Sequence, residues 1–261
     1  ISDTDKDKIH FIFNNISMQT VEAKSFELAQ MLNNDNIIWF SDYFIEKRVC
    51  GQLNFHPLYL TIINCISSPQ LDKNILKSTY FNITRLLSSP TITTSSSERS
   101  ILRNLGSWLG QITLAKNKPI LQKNINLKEL LFWGFETGRL IAVCSFVAKI
   151  IEGIKDSLVF RPPNPWLMPL LGVLKDLYET EDLKMNIKFE VQVLCKSVGL
   201  PIEDIPRTGS LDSLVIPYKE GKNPDFNMTR GVGGSTGTLS PNNNSSGIAS
   251  GGHNVGGNSP L

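Results

Sequence analysis

The sequence predicts an all-α fold, an α-solenoid of about five antiparallel helix pairs with a disordered C-terminal tail. Apolar residues recur at steps of three and four almost everywhere before residue 200, and no comparable run alternates with period two. Turn-forming residues cut this pattern into pieces of helical length.

The first stripe is Ile9, Ile12, Phe13 and Ile16, which a 3.6-residue period brings onto one helix face. Asp3, Asp5 and Asp7 stand at its start, where carboxylates cap free N–H groups and meet the positive end of the helix dipole. As the opening of a calcium loop these acids would need glycine and glutamate where Lys8 and Asn14 stand, so no metal is expected. Later stripes are Leu76, Tyr80, Ile83 and Leu87, then Ile101, Leu105, Trp108 and Ile112, then Ile187, Val191, Leu194 and Val198.

Breakers fall at residues 33–36, 68–69, 88–97, 116–126, 161–165 and 180–182. The intervals suit about ten helices of roughly 10 to 18 residues, joined by connections short enough to make neighbours antiparallel. A hairpin of ~40 residues cannot bury both its faces alone, so about five of them stack into a HEAT-like solenoid, with a compact bundle as the competing arrangement. This domain is expected over residues 1–200. Residues 201–261 read as a linker, first with Pro201, Pro206 and Pro217, then with nine glycines and no aromatic residue from Gly231 to Leu261. The serine- and threonine-rich insert at 88–97 reads as spacer.

Composition excludes more than it assigns. Lys and Arg number 26 against 24 Asp and Glu, and a formal charge of +2 lacks the excess of a phosphate-binding surface. Cys50, Cys65, Cys144 and Cys195 lie far apart in apolar stretches and read as reduced core thiols of a cytosolic or nuclear protein. The longest apolar run, Leu140 to Ala148, is short of the ~20 residues a membrane span needs. A start at Ile1, without an initiator methionine or signal-like segment, suggests a piece of a longer polypeptide.

No nucleophile with a positioned base is legible, so neither catalytic residue nor cofactor is expected. His253 lies in the tail, His56 precedes Pro57 at a helix start, and His10 reads as a boundary histidine. Gly106 and Gly110 lack the ending of a phosphate loop and read as points of close helix packing. Trp108 between them fills the core or touches a partner. Lys116, Lys118 and Lys123 around Pro119 form either a basic patch or cations at a helix C-terminus, without the interleaved aromatics that stack on single-stranded RNA.

The richest segment is Val159-Phe-Arg-Pro-Pro-Asn-Pro-Trp166. Asn164 suits the cap of a helix whose first position is Pro165. Arg161 before Pro162 and Pro163 is held extended, which makes a preorganised loop. Phe160, Arg161 and Trp166 are residue types that carry interface energy. Phe160, Arg161, Pro163, Asn164 and Trp166 are therefore the leading partner-binding candidates, with Trp108, Lys116 and Lys118 behind them.

Three strings carry a family resemblance: Asn104-Leu-Gly-Ser-Trp-Leu-Gly-Gln-Ile-Thr-Leu-Ala-Lys-Asn-Lys-Pro-Ile-Leu121, Leu158-Val-Phe-Arg-Pro-Pro-Asn-Pro-Trp166, and Asp182-Leu-Lys-Met-Asn-Ile-Lys-Phe-Glu-Val-Gln-Val-Leu-Cys-Lys196. They resemble the middle domain of the central scaffold subunit of the Ccr-Not deadenylase complex, a domain similar to the middle domain of eukaryotic initiation factor 4G. The likeness runs from about Lys8 to Leu200. It implies an arc of HEAT-like helix pairs that docks a Caf/Pop-type deadenylase on one surface and a DEAD-box RNA helicase near Phe160 to Trp166. Other subunits of the complex would attach through the parent chain. The implied role is mRNA deadenylation, decay and translational repression in the cytoplasm, P-bodies included, with RNA held indirectly and no membrane involved. Direct RNA binding along the helices, by Lys116, Lys118 and Arg161, is the alternative.

Overall fold

Side-chain caps mark where several helices begin. A computed structural model describes residues 1–214 and 223–227. Helix α1 (Asp3–Asn15) starts after Ser2, whose hydroxyl accepts from the Asp5 amide at 3.1 Å. The cap is thus the serine, and Asp3 and Asp5 occupy the first turn. Ser68, Ser95 and Asn126 likewise cap α5 (Pro69–Leu87), α6 (Ser96–Ile112) and α7 (Leu127–Thr137). The remaining α-helices are α2 (Val21–Met31), α3 (Ile37–Tyr43), α4 (His56–Ile66), α8 (Leu140–Ile151), α9 (Leu167–Glu179) and α10 (Met185–Val198). A π-helical turn, Phe44–Val49, continues α3.

Packing follows chain order. Helices α2, α4, α6, α8 and α10 pack one on the next, as do α3 on α5 and α7 on α9. Sequence neighbours close the pairs α1–α2, α5–α6, α7–α8 and α9–α10. Each element meets partners near it in sequence, which is the contact pattern of a stacked solenoid and not of a bundle around one axis. Among the described residues the sole β feature is an isolated antiparallel bridge, Leu183 to Phe226.

Helix α8 lies at the centre. It is apolar on all but the face of Ser145 and Lys149, and such a helix must be buried over most of its surface. Leu140, Val143, Cys144, Phe146, Val147 and Ile150 are each fully buried there, among α6, α7 and α10. Helix α6 comes close enough that a Cβ on Gly106 would lie 2.8 Å from the Phe146 carbonyl oxygen, and one on Gly110 would strike the Ile150 carbonyl. The close-packing reading of both glycines holds. No helix among the described residues is long and apolar enough to cross a membrane.

Three expectations need correction. Cys50, Cys144 and Cys195 are buried thiols, but Cys65 is exposed, because it falls off the buried face of α4. The insert at 88–97 is a folded turn: the Ser89 and Thr91 hydroxyls donate to the Glu98 carboxylate at 3.0 Å, and Ile92 is buried beneath. The packed chain also continues past residue 200. Ile202, Ile205 and Leu211 are buried, and so are Asp225 and Phe226. These few apolar residues lie among prolines without helical spacing, so periodicity cannot reveal them. Residues 215–222 and 228–261, including the glycine-rich tail, lie outside the described residues.

The turn at residues 207–210 is tied to α9 by a buried carboxylate. Asp176 accepts from the Thr208 hydroxyl at 2.5 Å, from the amides of Thr208, Gly209 and Ser210 at 3.1 to 3.3 Å, and from Arg207 Nε at 3.1 Å. Burial pushes its carboxyl up, but the Thr208, Gly209, Arg207 and Ser210 donors together outweigh burial and leave it below the ordinary carboxylate value.

Candidate docking site

The loop between α8 and α9 is built on one serine and one asparagine. Ser157 is fully buried, and its hydroxyl accepts from the Phe160 amide at 2.8 Å and the Val159 amide at 3.2 Å. The same hydroxyl donates to Asn117 Oδ1 at 3.0 Å, and that oxygen also accepts from the amides of Leu158 at 2.7 Å and Val159 at 3.1 Å. Asn117 reaches the loop because its backbone is left-handed, with φ of 59°, a conformation asparagine tolerates better than most residues. The segment holding Lys116 and Lys118 is thereby joined to the segment holding Phe160 to Trp166.

At the far end of the loop Asn164 turns the chain into α9. Its Oδ1 accepts from the amides of Trp166 at 2.9 Å and Leu167 at 3.2 Å, while its Nδ2 donates to the Val159 carbonyl at 3.1 Å. The capping role expected of Asn164 is present, although α9 proper begins at Leu167 and not at Pro165. The Pro162–Pro163 peptide bond is cis.

Phe160 packs inward, 7% exposed, with its ring edge-on to Trp166 at a centroid distance of 5.6 Å. It supports the site from beneath and does not offer a contact surface, which corrects the expectation for that residue. Arg161 and Pro163 are exposed, Trp166 is half-buried, and Leu158 and Val159 before them are 78% and 54% exposed. Among the described residues the Arg161 guanidinium has only a long bond of 3.4 Å, to the Lys155 carbonyl. Trp166 also walls a cavity of 290 Å³ between the starts of α7 and α9, with Pro165, Pro169, Asn126 and Leu127. The cavity is mixed in character, because Gln122, Lys128 and Glu129 also line it, so Trp166 and the prolines offer an apolar contact with charged groups of both signs at hand.

The secondary candidates divide. Trp108 is fully buried against Phe44 and His56, at centroid distances of 5.7 and 5.4 Å, and cannot meet a partner, because α6 turns that face into the core. Lys116 is half-buried and donates to Asn64 Oδ1 at 2.7 Å, and burial lowers its pKa. Lys118 is exposed, 3.7 Å from Asp72. Both lysines border a 270 Å³ cavity floored by Ile63, Ile75 and Leu76.

Sequence reasoning missed a second surface. Ile38 and Phe81, 58% and 62% exposed, line a groove of 210 Å³ between α3 and α5 with Asp42, Glu46 and Lys77. Phe11 and Phe26 on α1 and α2 are also exposed, at 62% and 67%. A signal existed: Phe81 lies off the stripe of Leu76, Tyr80, Ile83 and Leu87, of which Ile83 is buried and the others partly buried, so the same periodicity turns it outward.

A helix stack with large apolar side chains turned outward is the architecture of a helical-repeat binding domain. Among the described residues no group of three or more histidine, cysteine, aspartate or glutamate side chains is arranged to hold a metal ion. The family model described as the CCR4-NOT transcription complex subunit 1 CAF1-binding domain matches residues 1–218, and the chain belongs to that family. It is 38% identical over 213 residues to CCR4-NOT transcription complex subunit let-711 of Caenorhabditis elegans, a match covering 78% of this chain and 8% of the relative. Identity to general negative regulator of transcription subunit 1 is 37% in Schizosaccharomyces pombe and 36% in Saccharomyces cerevisiae, over 76% of this chain and 10% and 9% of those relatives. The chain thus spans about a tenth of the length of these relatives. The family is a binding domain of a scaffold subunit, and its role is non-catalytic.

Proposed function

We propose that this domain holds a Caf1-type deadenylase within a CCR4-NOT scaffold and docks a DEAD-box RNA helicase at the Arg161 to Trp166 loop. So placed, it couples mRNA deadenylation and decay to translational repression in the cytoplasm and its P-bodies. The observation that carries the first part is the match to a CAF1-binding domain over residues 1–218. For the deadenylase we assign the α3–α5 face, where Ile38 and Phe81 are apolar, exposed and set at one groove. For the helicase, Arg161 and Trp166 stand on a loop fixed at both ends by asparagine side chains, so little ordering entropy opposes docking. A rigid binder touching both lobes of a helicase favours their closed arrangement only through preferential affinity for it.

The test is capture of purified partners by two variants. Ile38→Glu with Phe81→Glu is expected to lose the deadenylase and keep the helicase, and Arg161→Ala with Trp166→Ala to do the reverse. Unchanged capture of both partners by both variants would remove the site assignments. The lysines give little support to direct RNA binding, since Lys116 is bonded to Asn64 and Lys118 faces Asp72. Binding of labelled RNA that falls steeply with salt would restore that reading.

A further inference from the structure

Residues 223–227, Asn-Pro-Asp-Phe-Asn, sit at the elbow between α7 and α8 as a bound peptide would. The Asp225 carboxylate straddles the start of α8, accepting from the Leu140 amide at 2.8 Å and the Ile141 amide at 3.2 Å. Phe226, 5% exposed, sets its ring edge-on to Phe135 of α7 at 5.9 Å. The backbone pairs in both directions across Leu183: the Lys184 amide donates to the Asp225 carbonyl at 2.9 Å, and the Asn227 amide to the Asp182 carbonyl at 2.8 Å. Gly138, with φ of 70°, leaves room for the turn. A Cβ there would lie 2.9 Å from both Asn223 and Pro224. Asn223 preforms the ligand by accepting from the Asp225 amide at 2.9 Å.

Charge, ring and main chain are thus each read by a separate part of the site, which is how short linear peptides are recognised. Phe135, Gly138, Leu140, Ile141 and Leu183 fall within the family match, which ends at residue 218, and the seated segment lies beyond it. We infer that the α7–α8 elbow is a recognition site for peptides carrying a tight turn followed by aspartate and an aromatic residue, and that residues 223–227 fill it in cis. A partner with such a segment must displace a tethered competitor joined through residues 215–222. An occupant so short-tethered acts at an effective concentration of about the millimolar range, so the site is held closed until a partner outcompetes it.

The experiment uses the full chain and a fluorescein-labelled peptide copying residues 223–227. Wild type is expected to bind the peptide at least about tenfold more weakly than Asp225→Ala with Phe226→Ala, whose site is empty. In that variant the amides of Leu140 and Ile141 should lose protection from hydrogen exchange and regain it when peptide is added. A copy with aspartate changed to alanine should do neither. A folded double variant that binds no peptide, or that binds both copies equally, overturns the inference. Should the variant fold poorly, a protease site placed within 215–222 and cut in the otherwise intact chain lets the native segment leave. Labelled peptide must then exchange into the site, and its failure to do so overturns the inference equally.

Discussion

The side-chain oxygen of Asn117 lies 2.7 Å from the amide nitrogen of Leu158, 41 residues further along the chain. Through this bond the turn after α6 sets the position of the loop before α9. The family strings around Lys116 and around Arg161 are therefore parts of one surface, joined by a residue that sequence reasoning did not single out.

Replacing Asn117 should separate two contributions. Asn117→Gly keeps the left-handed backbone and loses the bonds to Ser157, Leu158 and Val159, whereas Asn117→Ala loses both. Urea unfolding is expected to place alanine about 1–2 kcal/mol below wild type, with glycine between them. Helicase capture should fall in both variants, since the loop they release is the proposed contact.

Trp108→Ala should unfold easily without revealing any partner contact. Truncating a fully buried tryptophan costs about 3–5 kcal/mol through lost burial and the cavity left behind. Trp108→Phe retains much of that packing. A folded Trp108→Phe chain that lost either partner would contradict the assignment of Trp108 to the core.

Gly110→Ala tests the α6–α8 approach. The added methyl meets the Ile150 carbonyl, and Gly153, three residues further along, also packs against the backbone of Gly110. Neither contact is the flexible end of a side chain, so the helices must part. A loss of about 1–3 kcal/mol in chemical denaturation is expected. Gly51→Ala, with open space around it, should be nearly neutral by comparison.

The turn at 207–210 should loosen in acid. Asp176 has a pKa below its ordinary value of 3.8 in the folded chain. The stability it contributes is therefore complete above the unfolded value and is lost as pH falls through the folded one. Melting temperatures of wild type and Asp176→Asn, followed from pH 7 to about pH 2, should differ most at neutral pH and converge at the acid end. A difference that stayed constant across the series would exclude ionisation of Asp176 as its source. Asp225 carries the opposite sign, because burial raises its pKa, and is common to both proteins in this comparison.

Much of the fold was legible because it depends on local periodicity. Stripes such as Ile187, Val191, Leu194 and Val198 can be read without knowing what lies opposite, and of these Ile187, Val191 and Leu194 are buried. The docking loop was legible in part. Proline and asparagine have strong backbone preferences, so Asn164 announced its capping role. Phe160 and Trp166 looked equivalent in sequence, and packing turned one ring inward and left the other half-open. Phe81 and Ile38 depart from the buried faces of their helices, and a single apolar residue off such a face carries no periodic mark of the surface it joins.

By itself the sequence determined that the chain forms helices, where most of them break, and which family its uncommon strings belong to. Each of those properties rests on neighbours within a few residues or on direct matching. Only the tertiary structure decided that Asn117 holds the Ser157 loop, that Asp176 retains the turn at 207–210, and that Asp225 and Phe226 close the α7–α8 elbow. Those contacts join residues separated by 30 to 90 positions or more. They depend on hydrogen-bonding groups and rings brought together by helix stacking, a geometry that leaves no periodic trace in the chain.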